Sequence, residues 1–246
     1  MPFANDLGNY MQRTRMIGRL LLAATTCLVV GGCTIPLFEH PLETPDAATI
    51  PQELFGVYKQ TAGPDNVSHH VHVGPAEGDA PAGVFRFRSI SQAMDRSTPP
   101  KATRGFAIAT RVGEFHIMQI PVFSPNKRDS EPQIDRDSWN ESEIAGYIMM
   151  RLRVHRDGIE MSCVDSLFVE SAIGDGNVAG TVERTETKHV TTVPNEDGEL
   201  VATTISETKT DSIMVTANPH SLLSFVRKNV DAGLFSHSPT EFHRNN

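Results

Sequence analysis

Three histidines, His69, His70 and His72, lie close together in the chain. In an extended strand His70 and His72 point to the same face, and two imidazoles on one face can bind a metal ion. A metal site needs further ligands, and none lies at a recognisable spacing. We therefore predict no metal cofactor. We expect an exposed or loop-edge histidine group beside Gly74, with His70 and His72 as the metal candidates.

An oxygen-rich segment offers the ligand type that calcium prefers. Its polar residues are Asp135, Asp137, Asn140, Glu141 and Glu143. The order and spacing required by a calcium-binding loop are missing, because no glycine occupies the turn position. We expect a solvated acidic loop.

A glycine-rich stretch, residues 174–180, has a composition typical of loops that cradle phosphate. Its spacing is not Gly-x-Gly-x-x-Gly, and no strand–helix–strand unit surrounds it. A β-turn between two strands is the expected structure.

Cys163 is a candidate nucleophile, but a catalytic cysteine needs a thiolate and a nearby base. The strand pattern instead places it among apolar neighbours, which favours a buried structural thiol. The chain also lacks Gly-x-Ser-x-Gly, His-Glu-x-x-His and Walker A motifs. We predict no catalytic residues.

The N-terminus has the organisation of a secretory signal. Arg13, Arg15 and Arg19 precede an uncharged apolar run over residues 20–30. The run has about a dozen residues, whereas a bilayer span needs roughly 20. It is therefore expected to be a signal and not a permanent transmembrane helix. Met11 and Met16 are alternative start sites.

The signal ends in Val30-Gly31-Gly32-Cys33, which resembles the lipobox of bacterial lipoproteins. The resemblance implies that Cys33 receives a diacylglycerol and that a signal peptidase cuts before it. It further implies a lipid-anchored protein of the bacterial cell envelope. Thr34 is not acidic, which in Gram-negative lipoproteins implies sorting to the outer membrane, facing the periplasm. An ordinary secreted protein or an uncleaved anchor is the alternative.

Composition restricts the partners. The chain has a formal net charge of −8, and removing the signal makes it more acidic because the signal carries three Arg and one Asp. An acidic body argues against nucleic acid as a partner. Of the three cysteines, Cys27 leaves with the signal and Cys33 carries lipid. Cys163 therefore has no partner for an intramolecular disulfide.

The mature chain divides into a tether and one β-rich domain. Prolines recur through residues 33–51 without periodicity, which predicts an extended, mobile tether after the signal peptide of residues 1–32. Residues 52–235 are expected to form a single domain, and residues 236–246 a frayed tail.

Strands dominate the domain. Phe85 and Phe87 alternate with Arg86 and Arg88, which predicts a half-buried strand. Apolar runs at residues 106–112 and 115–122 predict a hairpin around Gly113. A strand is also expected at residues 167–173. Residues 181–193 and 200–210 form two polar, β-branched strands of a solvent-exposed hairpin.

Asp157-Gly158 between apolar runs is a strong hairpin signal. With that pair as the turn, Val154 lies opposite Met161 and Leu152 opposite Cys163, with their side chains on one inward face.

The expected helix is near the C-terminus. Asn218 can cap it, Pro219 suits its first turn and Gly233 its C′ position. Leu222, Leu223, Val226 and Val230 form its apolar stripe.

The fold class is therefore mainly β, an antiparallel barrel or sandwich with one C-terminal helix. The segment from Glu53 to Tyr58 resembles the Gly-x-Trp opening of lipocalin barrels, with Tyr58 in place of Trp. We expect a membrane-anchored, non-enzymatic binding or structural module, whose partners are the membrane and a protein or small apolar ligand. The alternatives are a lipocalin-like carrier of a small apolar ligand and an envelope hydrolase or metal-dependent enzyme.

Overall fold

Antiparallel strands close into a barrel, as the sequence predicts. The computed structural model describes residues 34–60, 67–93, 99–124, 139–194 and 200–245, without the side chains of 188–194 and 200–207. Within these ranges the strands are β1 (Leu37–Phe38), β2 (Gly56–Gln60), β3 (Val67–Pro75), β4 (Val84–Ala93), β5 (Lys101–Val112), β6 (Phe115–Phe123), β7 (Ile144–His155), β8 (Gly158–Cys163), β9 (Gly180–Pro194), β10 (Leu200–Val215) and β11 (Thr240–Arg244). The helices are α1 (Ser166–Gly174) and α2 (Pro219–Asn229).

Eight of these strands form the ring. The order is β6-β5-β4-β3-β2-β11-β8-β7, and pairing of β6 with β7 closes it. All neighbours in the ring are antiparallel. Since a closed barrel leaves no free edge, every ring strand is paired on both sides.

The last strand completes this ring, so the expected frayed tail at residues 236–246 is wrong. β11 lies between β2 and β8, with His243 opposite Lys59 and Phe242 opposite Ile159. Phe242 fills an interior position, being 3% exposed. A short polar terminus is ordered here because it satisfies two strand edges that would otherwise be open.

Arg244 locks β11 to the start of the barrel. Its Nη2 donates to the Glu53 carbonyl at 2.8 Å and to Tyr58 Oη at 3.1 Å. The guanidinium lies 5.5 Å from the centroid of the Tyr58 ring. Tyr58 is fully buried and donates its own hydroxyl hydrogen to the Leu54 carbonyl at 2.8 Å. The beginning of the barrel, at Glu53 and Leu54, and its last strand, β11, are thereby joined through the side chain of Tyr58.

The barrel interior is apolar, and every ring strand contributes to it. Phe85 and Phe87 point inward while Arg86 and Arg88 point outward, which confirms the predicted alternation. The buried interior cluster comprises Leu54, Tyr58, Val71, Phe85, Phe87, Ala107, Ala109, Met118, Ile120, Met150, Leu152, Ile159, Met161 and Phe242.

A second core lies outside the barrel wall. β5, β6 and β7 are buried on both faces, and outward residues such as Phe106, Ile108 and Ile117 pack under α1, α2 and β1. This double burial explains the near-continuous apolar runs in these strands, which differ from the alternation in β4.

Residues 34–51 belong to this outer layer, so the predicted mobile tether is wrong. We call them the N-terminal strap. Phe38 is fully buried, pairing with Tyr147 of β7 and Val215 of β10, and Leu42 is 3% exposed. Of the apolar residues in the strap, Phe38, Leu42 and Ala48 are buried in the outer core, and Ile35 and Ile50 pack against the interior cluster. Burial of these side chains outweighs the extended preference of the prolines.

The strap is also held on the barrel by hydrogen bonds outside β1. The amide of Leu42 donates to Oε1 of Gln119, a fully buried side chain whose Nε2 donates to Thr110 Oγ1 at 2.9 Å. The amide of Gly83 donates to the Pro45 carbonyl at 2.9 Å. A Cβ at position 83 would lie 2.1 Å from that carbonyl oxygen, so the close approach requires glycine.

The β7–β8 hairpin forms with a different register from the predicted one. His155 pairs with Gly158, so the loop is Arg156-Asp157, and Val154 lies opposite Ile159. A Cβ on Gly158 would meet the Phe242 carbonyl at 2.0 Å. Gly158 therefore serves the close packing of β11 and not the turn. The shift of two residues leaves the predicted faces unchanged, because side chains alternate with a period of two.

The predicted strand at residues 167–173 is wrong, because this run forms α1. The carboxylate of Asp165 accepts hydrogen bonds from the amides of Leu167 and Phe168 at 2.9 and 3.1 Å. This cap satisfies two amides of the first turn. A short apolar run has no periodicity that separates strand from helix, and the capping carboxylate is the local signal that favours the helix.

The C-terminal helix and the polar hairpin are confirmed. Oδ1 of Asn218 accepts from the amide of Ser221 at 3.0 Å, and Leu222 and Val226 are fully buried. The helix ends at Asn229, so Gly233, with φ of 104°, lies in the turn beyond the expected C′ position. β9 and β10 pair along their length, flanking residues 195–199, which lie outside the described residues.

Replacing Arg244 with Ala is expected to lower the free energy of unfolding by about 1–3 kcal/mol, since two hydrogen bonds and the contact with Tyr58 are lost. Urea unfolding measures the change. Arg227→Ala removes an exposed Arg from α2 and should stay within about 0.5 kcal/mol of the parent. If both variants lose the same free energy of unfolding, Arg244 does not hold β11 to the start of the barrel.

Gln119→Ala is expected to lower the free energy of unfolding by about 1–3 kcal/mol, because the Leu42 amide loses its buried acceptor. Loosening of the strap should also speed cleavage by a Glu-specific protease at Glu39 and Glu43. The matched control is Gln92→Ala, at a half-buried position on β4. Unchanged cleavage in Gln119→Ala would show that the strap does not depend on this side chain.

Candidate functional site

The barrel interior is filled with side chains. The remaining void measures about 20 Å³, close to the space that one water molecule needs. Its lining is Leu54, Val71, Val73, Phe85, Phe87, Met118, Leu152, Ile159 and Met161. Ligand pockets in proteins typically measure about 300–1,000 Å³. As far as the described residues define it, this interior has no room for a ligand.

One end of the barrel is closed by the turn of 3-10 helix at Gln52–Leu54. Leu54 is 1% exposed and inserts into the interior cluster. Oε1 of Glu53 lies 3.3 Å from Nε2 of His116, at the beginning of β6. Burial lowers the pKa of His116, although the Glu53 carboxylate acts in the opposite direction. A half-exposed carboxylate and a buried imidazole thus meet over the closed end, a contact that sequence spacing did not indicate.

His70 and His72 lie on one outer face of β3, as their spacing predicts. Lys59 stands opposite His70 and Arg88 opposite His72. Burial, followed by the charges of Lys59 and His72, lowers the pKa of His70. Cationic neighbours disfavour a bound metal ion, and within the described residues no group of three or more His, Cys, Asp or Glu could hold one.

Cys33, the predicted lipidation site, lies outside the described residues. Its neighbour Thr34 is described, and Oγ1 of Thr34 donates to the Thr210 carbonyl of β10 at 2.6 Å. The chain is thus in contact with the folded domain one residue after the predicted anchor.

Cys163 is partly buried and packs against the interior cluster, opposite Met150 on β7. Its side of the strand is the apolar one that we expected, but the thiol is less enclosed than a buried thiol would be.

The predicted acidic loop is described from residue 139 onward, while Asp135 and Asp137 lie outside the described residues. Asn140 caps a turn of 3-10 helix by accepting from the amide of Ser142 at 3.2 Å, and its Nδ2 donates to Glu143 at 2.6 Å. These oxygens serve local structure.

The glycine-rich stretch at residues 174–180 connects α1 to β9, and not two strands as expected. Gly176 has φ of 71°, a conformation that favours glycine and lets the chain reverse. Gly180 is needed for packing, because a Cβ there would lie 2.6 Å from the Met214 carbonyl oxygen. These glycines have structural roles.

Two open grooves on the outer surface are lined by described residues. The first, about 370 Å³, runs between α1 and α2. Its lining is Phe168, Ala172, Asn177, His220, Ser221, Ser224, Phe225, Lys228 and Asn229. Leu167, beside it on α1, is 75% exposed, which is unusual for a large apolar residue on this surface.

The second groove, about 360 Å³, crosses the outer faces of β2, β3 and β4. It combines cationic side chains, including Arg86 and Arg88, with apolar ones such as Val57 and Pro75. Sequence reasoning missed both grooves. The alternating Arg86 and Arg88 signalled an outward basic row, but strand pairing was needed to place it beside Lys59 and His72.

Comparison with known proteins gave no match, whether to a family model, a curated protein or a solved structure. In the described part of the chain, no helix has both the length and the apolar character to cross a membrane.

The His116 environment predicts loss of stability in acid. The folded pKa lies below the usual value of 6.5, so the unfolded chain takes up a proton first as the pH falls. Stability is therefore complete above the unfolded pKa and decreases as the pH falls from there toward the folded pKa. His116→Gln should show a weaker decrease, by at most about one proton in the linkage slope.

Urea midpoints measured from neutral to mildly acidic pH test this expectation. His220→Gln, at an exposed position on α2, is the control and should keep the parent slope. If His116→Gln and the parent have the same slope, His116 does not titrate with folding.

Proposed function

We propose that this chain is a lipid-anchored protein of the bacterial cell envelope that serves as a non-enzymatic binding module. The observation that carries the proposal is the filled barrel, whose interior void of about 20 Å³ leaves the outer surface as the place for recognition. Both larger grooves lie on that surface.

The anchor is supported by the order of the N-terminal features. A basic segment, an apolar run and the lipobox-like Val30-Gly31-Gly32-Cys33 follow one another. Several acyl chains on Cys33 would give stable attachment, since each buried methylene contributes about 0.8 kcal/mol.

The N-terminal strap determines how the domain is held. Thr34 contacts β10, and Phe38 and Leu42 are buried in the outer core. A lipid on Cys33 would therefore lie directly beside the folded domain and not at the end of a long spacer. The domain would remain close to the outer membrane surface, facing the periplasm if the host is Gram-negative.

The two alternatives receive less support. A carrier of a small apolar ligand needs an interior cavity, and the described interior is filled. A hydrolase or metal-dependent enzyme needs His70 and His72 to converge with carboxylates, whereas Lys59 and Arg88 are their partners across the sheet.

Radiolabelled palmitate fed to a bacterial host expressing the full chain is expected to label the parent protein and not Cys33→Ala. The unlabelled variant should also migrate as the larger, uncut precursor, because lipidation precedes cleavage in lipoproteins.

Cys163→Ala is the matched control, since it removes the other cysteine of the mature chain and should keep the label. Equal labelling of the parent and Cys33→Ala would refute the anchor.

A further inference from the structure

The outer surface of the barrel is divided into two unlike halves. The outward residues of β6, β7 and the second half of β5 are covered by the outer core. The outward residues of β2, β3, β4 and the first half of β5 lie outside that cover, apart from Val84 and Phe106, and six of them are Lys, Arg or His. We call these six residues the basic face: Lys59, His70, His72, Arg86, Arg88 and Arg104.

Strand register brings these side chains into rows. His72, Arg88 and Arg104 are directly opposite one another on β3, β4 and β5. Lys59 and His70 form the next row on β2 and β3. Arg88 and Arg104 are the like-charged pair in these rows, and like charges directly opposite in a sheet repel each other.

The four strands carry no compensating charge of their own. Residues 56–60, 67–75, 84–93 and 101–112 contain no Asp or Glu, although the whole chain has a formal net charge of −8. An acidic protein has thus concentrated positive charge on one face. Such a field attracts an oppositely charged partner and speeds its association.

The carboxylate of Glu77 forms an ion pair with this face. Oε2 of Glu77, an exposed residue in the β3–β4 loop, lies 2.8 Å from Nη2 of Arg86 at the rim of the 360 Å³ groove. Val57 and the exposed Pro75 line the same groove, whereas Val73 lies on the inward face with Phe87. Cationic and apolar groups therefore lie together on one concave surface.

The basic face is turned away from the predicted anchor. The strap pairs with β7, and β3 lies four places from β7 in the ring of eight strands, the largest separation possible. If Cys33 holds the β7 side at the membrane, the basic face looks toward the surrounding compartment. The lipid surface is accordingly not its natural occupant.

We propose that the basic face binds an acidic protein segment, one whose carboxylates alternate with apolar side chains. Charge complementarity selects the carboxylates, and the apolar lining of the groove accommodates the residues between them. Among its described residues the face presents no exposed Phe, Tyr or Trp to bases or sugar rings, and the net charge of −8 on the chain repels a long polyanion, which favours a peptide over a nucleic acid or a glycan. The proposal rests on the proposed function, since it names the partner class of the same binding module.

The test uses the full chain as purified in a neutral detergent, whether lipidated or not, and a fluorescent peptide of alternating Glu and Val. Fluorescence anisotropy should show binding that weakens as ionic strength rises. The double variant Lys59→Glu with Arg88→Glu should weaken binding at least about tenfold, because it reverses charge in both rows. Glu at these positions faces His70 and His72, so the variant is expected to fold.

The control is Lys209→Glu with Arg227→Glu, which changes the net charge equally at exposed positions of β10 and α2. Retained binding in the control together with loss in the face variant would support the proposal. Absence of binding by the parent, or an equal loss in both variants, would overturn it.

Two further probes test the alternative occupants of the basic face, which are an anionic lipid surface and a polyphosphate. Vesicles containing phosphatidylglycerol, or inorganic polyphosphate, would overturn the peptide proposal if they bound more tightly than the peptide and depended on Lys59 and Arg88. Palmitate labelling is independent of all these readouts. A failed anchor therefore leaves the peptide result intact, and a failed peptide result leaves the anchor intact.

Discussion

Closure of the barrel is the constraint on which the rest of the structure depends. A sheet of eight strands leaves two open edges unless its first and last strands meet, and here β11 supplies the final pairing between β2 and β8. Arg244 and Tyr58 hold this junction through a ring contact and a hydrogen bond. Because closure occurs around large side chains such as Phe85 and Phe87, it produces a filled core and not a cup.

The closed ring then creates a second requirement on its outside. β5, β6 and β7 expose apolar side chains on both faces, and water contact with the outer set would cost free energy in proportion to its area. The helices and the N-terminal strap cover that set. A segment with the composition of a linker thereby becomes part of the fold, and the proposed lipid site is brought against the domain surface.

The uncovered half of the ring has the opposite character. Its strands contribute cations outward and no acidic residue, although the protein as a whole is acidic. The proposed acidic partner would relieve the repulsion between Arg88 and Arg104, which lie directly opposite each other. The filled interior, the covered apolar side and the exposed basic side leave the outer surface as the place where the proposed binding would occur.

The sequence by itself determined the local features: the period-two alternation at Phe85 and Phe87, the hairpin at Gly113, the capped helix after Asn218 and the mainly β class, with barrel and sandwich both open. The lipobox-like pattern that ends at Cys33 is also evident from the sequence, because it depends only on the order of neighbouring residues. Only the tertiary structure decided the fate of residues 34–51, the strand at 240–244 and the joining of Lys59, His72 and Arg88 into one face. Each of these depends on partners distant in the chain, and local periodicity carries no information about such pairings.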